Sequence, residues 1–119
     1  MNFEEVRSYC INKKGVSESF PFDESTLVFK VMGKMFALCG LDRVPAEVNL
    51  KCDPERAIAL REEYDGSIRG AYHMSKIHWN SVEIDGNVPP KLVIALIDHS
   101  YDLVVSKLTR KLKDELEQL

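Results

Sequence analysis

The sequence predicts a single α+β domain over residues 1–119 with a mainly antiparallel sheet. Two observations carry this prediction. Helical and strand-like periodicities follow each other in the order helix, hairpin, strand, helix, strands and helix, which is typical of α+β domains. A chain of 119 residues with 45% hydrophobic residues is also long enough to bury a core, and no linker or repeat divides it.

The first part of the chain predicts a helix and a hairpin. A capping-box pattern at the N-terminus indicates a helix over residues 2–14. Residues 26–39 alternate on either side of a Met32-Gly33 turn, as expected of a hairpin. A two-residue loop would place Phe29 opposite Phe36, and this aromatic pair would anchor the hairpin.

Between these two elements, residues 17–25 are predicted to form a loop. It contains Phe20 and Phe22 on either side of a proline, and two phenyl rings on a loop usually pin that loop to the core. A ligand-facing role for Phe22 stays open as the alternative.

The second part of the chain alternates strands and helices. Asp53 followed by a proline is a strong helix start. Residues 72–74 are compatible with a short strand or a loop, and on strict alternation Trp79 points to the polar face of the strand that follows. The predicted elements are a strand over 46–52, a helix over 54–64, a strand over 78–85, a long core helix from Pro90, and a charged helical tail over 109–119 capped by Thr109.

Composition excludes several classes of protein. The three cysteines lack a CxxC pattern and are interpreted as reduced residues of a cytoplasmic protein. The N-terminus does not resemble a signal peptide, and the apolar runs are too short to span a membrane. His73 and His78 are five residues apart, which suits metal ligation on neither a helix nor a strand. The sequence therefore predicts no membrane association, no metal and no other cofactor.

The segment from Gly66 to Asn80 stands out chemically. It carries two basic residues, two of the three histidines and the only tryptophan, with no acid, in a chain of net charge −3. Basic residues interleaved with aromatic ones suit phosphate and base contacts in nucleic acid. The competing interpretation is a basic loop whose Trp79 covers the core.

The same segment carries a family resemblance. The runs Y-H-M-S-K-I-H-W-N-S-V-E-I-D-G from Tyr72 and V-P-P-K-L-V-I-A-L-I-D-H-S-Y-D-L-V from Val88 resemble the YjbR/MmcQ family of small bacterial proteins. Two upstream runs, F-P-F-D-E-S-T-L-V-F-K-V-M-G-K-M-F-A-L and N-L-K-C-D-P-E-R-A, fit the family in the same order. Many members have a proline shortly before the motif histidine, where this chain has Arg69-Gly70-Ala71.

The resemblance implies a compact α+β fold with a twisted antiparallel sheet and helices packed against it. That fold is described as similar to frataxin/CyaY and to the double-wing DNA-binding domain of the phage transcription factor MotA, and members are commonly labelled DNA-binding on that structural similarity. No catalytic activity is attached to the motif. The matching motif positions are Lys30, Lys34, His73, Lys76, His78, Trp79, Asp98, Ser100 and Tyr101.

Two functional hypotheses from different classes follow. The first is a non-enzymatic DNA-binding domain whose phosphate or anion contacts are Lys30, Lys34, Arg69, His73, Lys76, His78 and Trp79. The second is a pocket for a small or phosphorylated ligand, which could be enzymatic, built around Tyr72, Asp98, Ser100 and Tyr101 together with the histidines and Lys30. Self-association through the leucines of residues 108–119 remains undecided against packing within the chain.

Overall fold

The computed structural model describes residues 1–72 and 74–119, and these form one α+β domain. Six antiparallel strands make one sheet in the order β1-β2-β3-β4-β6-β5. The strands are β1 (Val16–Ser19), β2 (Thr26–Val31), β3 (Lys34–Gly40), β4 (Glu47–Lys51), β5 (Ile68–Gly70) and β6 (Trp79–Glu83), and the helices are α1 (Phe3–Ile11), α2 (Pro54–Glu63), α3 (Pro90–Ser106) and α4 (Arg110–Glu117). The predicted fold class is confirmed.

The described helices lie on one face of the sheet. Helix α3 packs across β2, β3 and β4, while α1 and α2 contact β1 and β5 at the two edges. Side chains alternate between the two faces of a strand. Leu50 and its partner Asn80 face the helices, and the Asn80 amide donates to the Ala57 carbonyl of α2 at 3.3 Å. Val28 and Leu38 pair on the opposite face and lie outside the main core cluster.

A β-bulge corrects the expected register of the hairpin. The turn has the expected two residues, and Val31 does pair with Lys34. The register then shifts between Phe29 and Lys30, so Phe29 lies opposite Ala37 and not opposite Phe36. A bulge adds one residue to one strand, and the alternation of apolar and polar residues along that strand does not reveal it. The Phe36 ring instead meets Tyr101 of α3 edge-on, with 5.5 Å between ring centroids.

The sequence analysis did not predict the two short edge strands. Residues 16–19, of which 17–19 were assigned to a loop, form β1, and β5 forms the opposite edge. Such strands are short and polar, so their alternation is weak. The expectation that both phenylalanines of the following loop are pinned to the core is wrong, because Phe20 is 48% exposed and Phe22 is 64% exposed.

The C-terminal leucines pack within the chain. Thr109 caps α4 by accepting a hydrogen bond from the Leu112 amide at 3.2 Å. Leu108 and Leu116 are buried in the core cluster, and Leu112 is half-buried against it, whereas Leu119 is 69% exposed. The stripe is therefore occupied by contacts inside the same chain.

The three cysteines, Cys10, Cys39 and Cys52, are free and buried. Burial raises the pKa of the Cys10 thiol to about 12, and it also raises the pKa of the other two thiols. They are thus protonated core residues at neutral pH. Within residues 1–72 and 74–119 there is no helix long and apolar enough to cross a membrane.

Candidate functional site

The sheet has two chemically different ends. At one end β2 finishes, β3 begins, β4 finishes and β6 begins, because the β2–β3 and β4–β6 pairs are antiparallel. The turn that carries residues 71–78 joins β5 to β6 at this same end. We call it the basic end and define it by six basic or aromatic side chains, which are Lys30, Lys34, Lys51, Lys76, His78 and Trp79. The exposed carboxylate of Asp53 also lies at this end, directly after β4.

The opposite end of the sheet is acidic. The β1–β2 loop, the β3–β4 loop and the turn after β6 all lie there. We call it the acidic end and define it by its carboxylates, which are Asp23, Glu24, Asp42, Glu83 and Asp85. The strand register therefore gathers four lysines at one end of the sheet and the carboxylates of three loops at the other, with Asp53 and Arg43 as the exceptions.

Lys51 and Trp79 form the centre of the basic end. They are cross-strand partners between β4 and β6, and both are half-buried on the helix-free face. Lys30 lies on the same face two strands away, about 10 Å from Lys51 at the usual strand spacing. Lys34 is exposed at the hairpin turn, on the helix side of the sheet.

The turn that precedes Trp79 is held by Arg61 of α2. The Arg61 guanidinium donates to the Asn80 side chain at 2.6 Å, to the Trp79 carbonyl at 3.5 Å and to the Lys76 carbonyl. The aliphatic part of Lys76 covers Gly70, where an added Cβ would lie 3.1 Å from Lys76 Cγ. The His78 side chain is exposed, and its carbonyl accepts from the Cys52 amide at 2.7 Å. Hydrogen bonds thus hold residues 76–80 in place, while the side chains of His78 and Lys76 are exposed.

Arg69 differs from the other predicted contact residues that the structure describes, because its side chain is in an ion pair. Its guanidinium donates to the carboxylate of Glu47, which is only 8% exposed and also pairs with Arg43 at 3.2 Å. Breaking a buried pair leaves an uncompensated charge. Arg69 therefore lies in an ion-pair cluster that crosses β6, and Lys51, which sequence reasoning did not select, is the better-placed cation.

Two of the predicted pocket residues, Ser100 and Tyr101, join helix α3 to neighbouring elements. The Ser100 hydroxyl is fully buried, donates to the Phe36 carbonyl at 2.6 Å and accepts from the Lys51 amide at 2.9 Å. Tyr101 donates to the Lys14 carbonyl at 2.6 Å. Lys30 lies on the other face of the sheet, so Tyr101 and Lys30 do not line one cavity.

Asp98 is the centre of a cluster between α1 and α3. It accepts from the Tyr9 hydroxyl at 2.6 Å and pairs with Lys13 at 2.5 Å. Its hydrogen bond, followed by burial, raises the pKa of Tyr9 to about 12. Burial alone would raise the pKa of Asp98, but the hydrogen bonds from Lys13 and Tyr9 outweigh it and lower that pKa. The Lys13 ammonium also lies 4.9 Å from the ring centroids of Tyr9 and Tyr101.

Two predicted residues of the turn remain. His73 lies outside the described residues. The Tyr72 side chain is 79% exposed. Among the residues that the structure describes, no group of three or more His, Cys, Asp or Glu side chains is arranged to hold a metal ion.

His99 has a structural role that predicts a pH dependence. Its Nε2 accepts from the Asp53 amide at 3.1 Å, which requires the neutral ring, and burial followed by the charge of Arg56 lowers its pKa. The His99 side chain therefore binds more protons in the unfolded state than in the folded state near pH 6. Its contribution to the free energy of unfolding is complete above about pH 6.5, the usual pKa of histidine, and is lost as the pH falls through the lower pKa of the folded state. We expect His99→Gln, which keeps an acceptor without titrating, to lose less unfolding free energy than wild type between pH 7 and pH 5.

Urea denaturation at several pH values checks this expectation. The carboxylates titrate in both proteins, so the difference between the two curves isolates His99. Parallel curves would contradict the assigned role.

The geometry defines a small α+β domain with its helices on one sheet face and a basic, tryptophan-bearing end. Comparison with known proteins supports the same fold class. The sequence model of the YjbR family matches residues 11–103. The YjbR protein of Escherichia coli K12 is 33% identical over the full length of both chains. The YbdF protein of Escherichia coli O157:H7 is 37% identical over 91% of this chain and 88% of its own.

Solved structures show the same relationship. The crystal structure of protein DR2400 from Deinococcus radiodurans is 41% identical and superposes with a TM-score of 0.89, covering 96% of this chain and 86% of its own. A Pseudomonas syringae protein is 27% identical with a TM-score of 0.73, covering 87% of this chain and 98% of its own. The chain belongs to the YjbR family.

Proposed function

We propose that this protein binds nucleic acid, with DNA as the expected partner, through the basic end of its sheet and without catalysing a reaction. The observation that supports the proposal is the separation of charge by strand register. Lys30, Lys34, Lys51 and Lys76 reach one end of the sheet, whereas the carboxylates of three loops lie at the other.

This separation answers the main objection to a nucleic-acid partner. A net charge of −3 should repel a polyanion if the charges were evenly spread. Exposed charges more than about 8–10 Å apart are largely screened at physiological salt. The two ends of the sheet are farther apart than that, because the five residues of β4 rise about 3.3 Å each along the strand. The basic end therefore presents its own local field.

The side chains at the basic end suit two kinds of contact. Lysine ammonium groups on flexible stems bind phosphate oxygens as point charges, and the exposed His78 ring can donate an N–H hydrogen bond to a phosphate oxygen. The partly exposed Trp79 ring offers a face on which a base can stack, a contact worth about 1–3 kcal/mol per base. Phosphate contacts would supply affinity and stacking would favour unpaired bases.

We expect a Lys34/Lys51/Lys76→Ala variant to lose most of its affinity for labelled DNA in a fluorescence anisotropy titration. Each lysine–phosphate contact contributes about 0.7–0.9 to the slope of log affinity against log salt. The slope should therefore shrink in magnitude by about 2–3 in the variant. Because Trp79 is the only tryptophan, quenching of its fluorescence by unlabelled strands reports contact at the same place.

The matched control removes three exposed lysines from helices α3 and α4 and from the joint between them, in the variant Lys91/Lys107/Lys111→Ala. It changes the net charge equally but keeps all six side chains that define the basic end, so it should keep most of the wild-type slope. Equal losses in the two variants would indicate non-specific attraction. Absence of binding by the wild type at low salt would refute the proposal.

A further inference from the structure

The acidic end carries a second surface, which is apolar as well as acidic. Four large apolar side chains are exposed in its loops, and the most exposed are Phe22 at 64% and Val44 at 93%, followed by Phe20 and Leu41. Solvent-exposed aliphatic and aromatic side chains grouped on neighbouring loops are typical of protein interaction sites. The charges around them indicate which kind of partner fits.

These loops are held in place although their side chains protrude. The Asp23 carboxylate accepts from the backbone amides of Ser25 at 2.9 Å and Thr26 at 2.7 Å, which closes the β1–β2 loop on itself. The Leu41 amide then donates to the Ser25 carbonyl at 2.7 Å and ties the two loops together. A surface that is ordered before binding loses less conformational entropy when a partner docks.

A small cavity opens between the β3–β4 loop and the start of α1. Its volume is about 260 Å³. Phe3, Leu41 and Ile84 form apolar walls, and the paired Arg43 and Glu47 close one side. The cavity is large enough to receive one apolar side chain from a partner, which would act as the anchor of the interface.

The charge around the apolar side chains is negative. Asp23, Glu24 and Asp42 project from the two loops and Asp85 from the neighbouring turn, all of them exposed. The one cation of these loops, Arg43, is paired with Glu47. A partner with acidic side chains would be repelled, whereas Lys or Arg residues beside an apolar anchor would be attracted.

We infer that the acidic end docks a basic, amphipathic peptide segment of a partner protein, with one apolar side chain in the cavity beside Leu41. The segment lies over the β1–β2 and β3–β4 loops, its cations meet Asp23, Glu24 and Asp42, and Phe22 and Val44 cover its apolar side. This surface lies at the opposite end of the sheet from the basic end, so the inference does not depend on nucleic-acid binding.

The test is an NMR titration of the ¹⁵N-labelled full chain. The probe is a synthetic amphipathic helical peptide of Lys and Leu, and its counterpart with Glu in place of Lys serves as the charge-reversed control. We expect saturable shifts of the amides of residues 20–25 and 41–46, apart from the two prolines, and of Ile84 with the basic peptide, and we expect salt to weaken this binding. Phe22→Ser/Val44→Ser should weaken binding about fivefold or more, because it removes the apolar contacts.

The control variant is Ile58→Ser/Ile77→Ser, which removes two comparably exposed apolar side chains from helix α2 and the 71–78 turn. It should bind like wild type. Shifts centred elsewhere, equal binding of the acidic peptide, or equal effects of the two variants would overturn the inference. Concentration-dependent association of the protein alone through these loops would also overturn it, since the occupant would then be a second copy.

Discussion

Ser100→Ala should lower the free energy of unfolding by about 2–4 kcal/mol, a large effect for the loss of one oxygen atom. The Ser100 hydroxyl is fully buried and serves two backbone groups at once, the Phe36 carbonyl and the Lys51 amide. Removing it leaves both groups without that partner in the interior. An unsatisfied buried backbone group costs about 1–3 kcal/mol, which sets the expected size.

The position of Ser100 in the sheet explains why the side chain is needed. Strands β3 and β4 are paired only at Ala37–Leu50 and Leu38–Asn49. Beyond these pairs the bulged strand β3 no longer continues the ladder, and the hydroxyl from α3 bridges the two strands instead. Hydrogen exchange of the Lys51 amide should therefore accelerate in the variant, whereas a purely local packing defect would leave it protected.

Chemical denaturation measures the loss, and Ser106→Ala is the matched control. The Ser106 hydroxyl also donates to a backbone carbonyl, that of Leu103 at 2.6 Å, but it is exposed at the end of the same helix. Water can replace that bond, so the control should change stability by no more than about 0.5 kcal/mol. If the two variants were equally stable, the bridging role of Ser100 would be wrong.

Gly15→Ala should destabilise the protein by about 2–4 kcal/mol through two separate causes. Gly15 has a φ of +75°, a left-handed conformation that costs a residue with a Cβ about 1–2 kcal/mol. The added Cβ would also lie 2.6 Å from Leu116 Cδ1 and 3.2 Å from Met32 Sδ. Leu116 is the buried residue of α4, so it yields by a shift of the helix or by a poorer rotamer.

Gly33→Ala separates the two causes. Gly33 has a similar φ of +85° in the hairpin turn, but an added Cβ there meets no atom within 4 Å. The Gly33→Ala variant should lose only the conformational part of the unfolding free energy, about 1–2 kcal/mol. The further loss in Gly15→Ala then measures the packing of α4 against the sheet. Equal losses at the two glycines would show that α4 adjusts without cost.

A Leu116→Ala background gives a second check on the collision. With the leucine truncated, the added Cβ at Gly15 has room, so the two substitutions should destabilise the protein by less than the sum of their separate effects. If the two losses of unfolding free energy were strictly additive, Gly15→Ala would act only through its backbone conformation and not through the contact with Leu116.

Much of the fold could be predicted from local patterns. Caps and turn residues are short-range signals, and for that reason the starts of α2 and α4 and the Met32-Gly33 turn lie where the sequence placed them. The bulge at Phe29 and the edge strand β1 could not be predicted, because both depend on which strand lies alongside. Local alternation carries no information about the partner strand.

The candidate site, like the fold, could be predicted from the sequence only in part. The sequence by itself determined the family pattern, the α+β class and the unusual chemistry of the segment around Trp79, since these depend on residue types and their spacing. Only the tertiary structure decided which cations share an end of the sheet: it brought Lys51 beside Trp79 and paired Arg69 with Glu47. The physical reason is that antiparallel pairing joins residues far apart in the chain, so the register, and not the sequence order, sets the local charge.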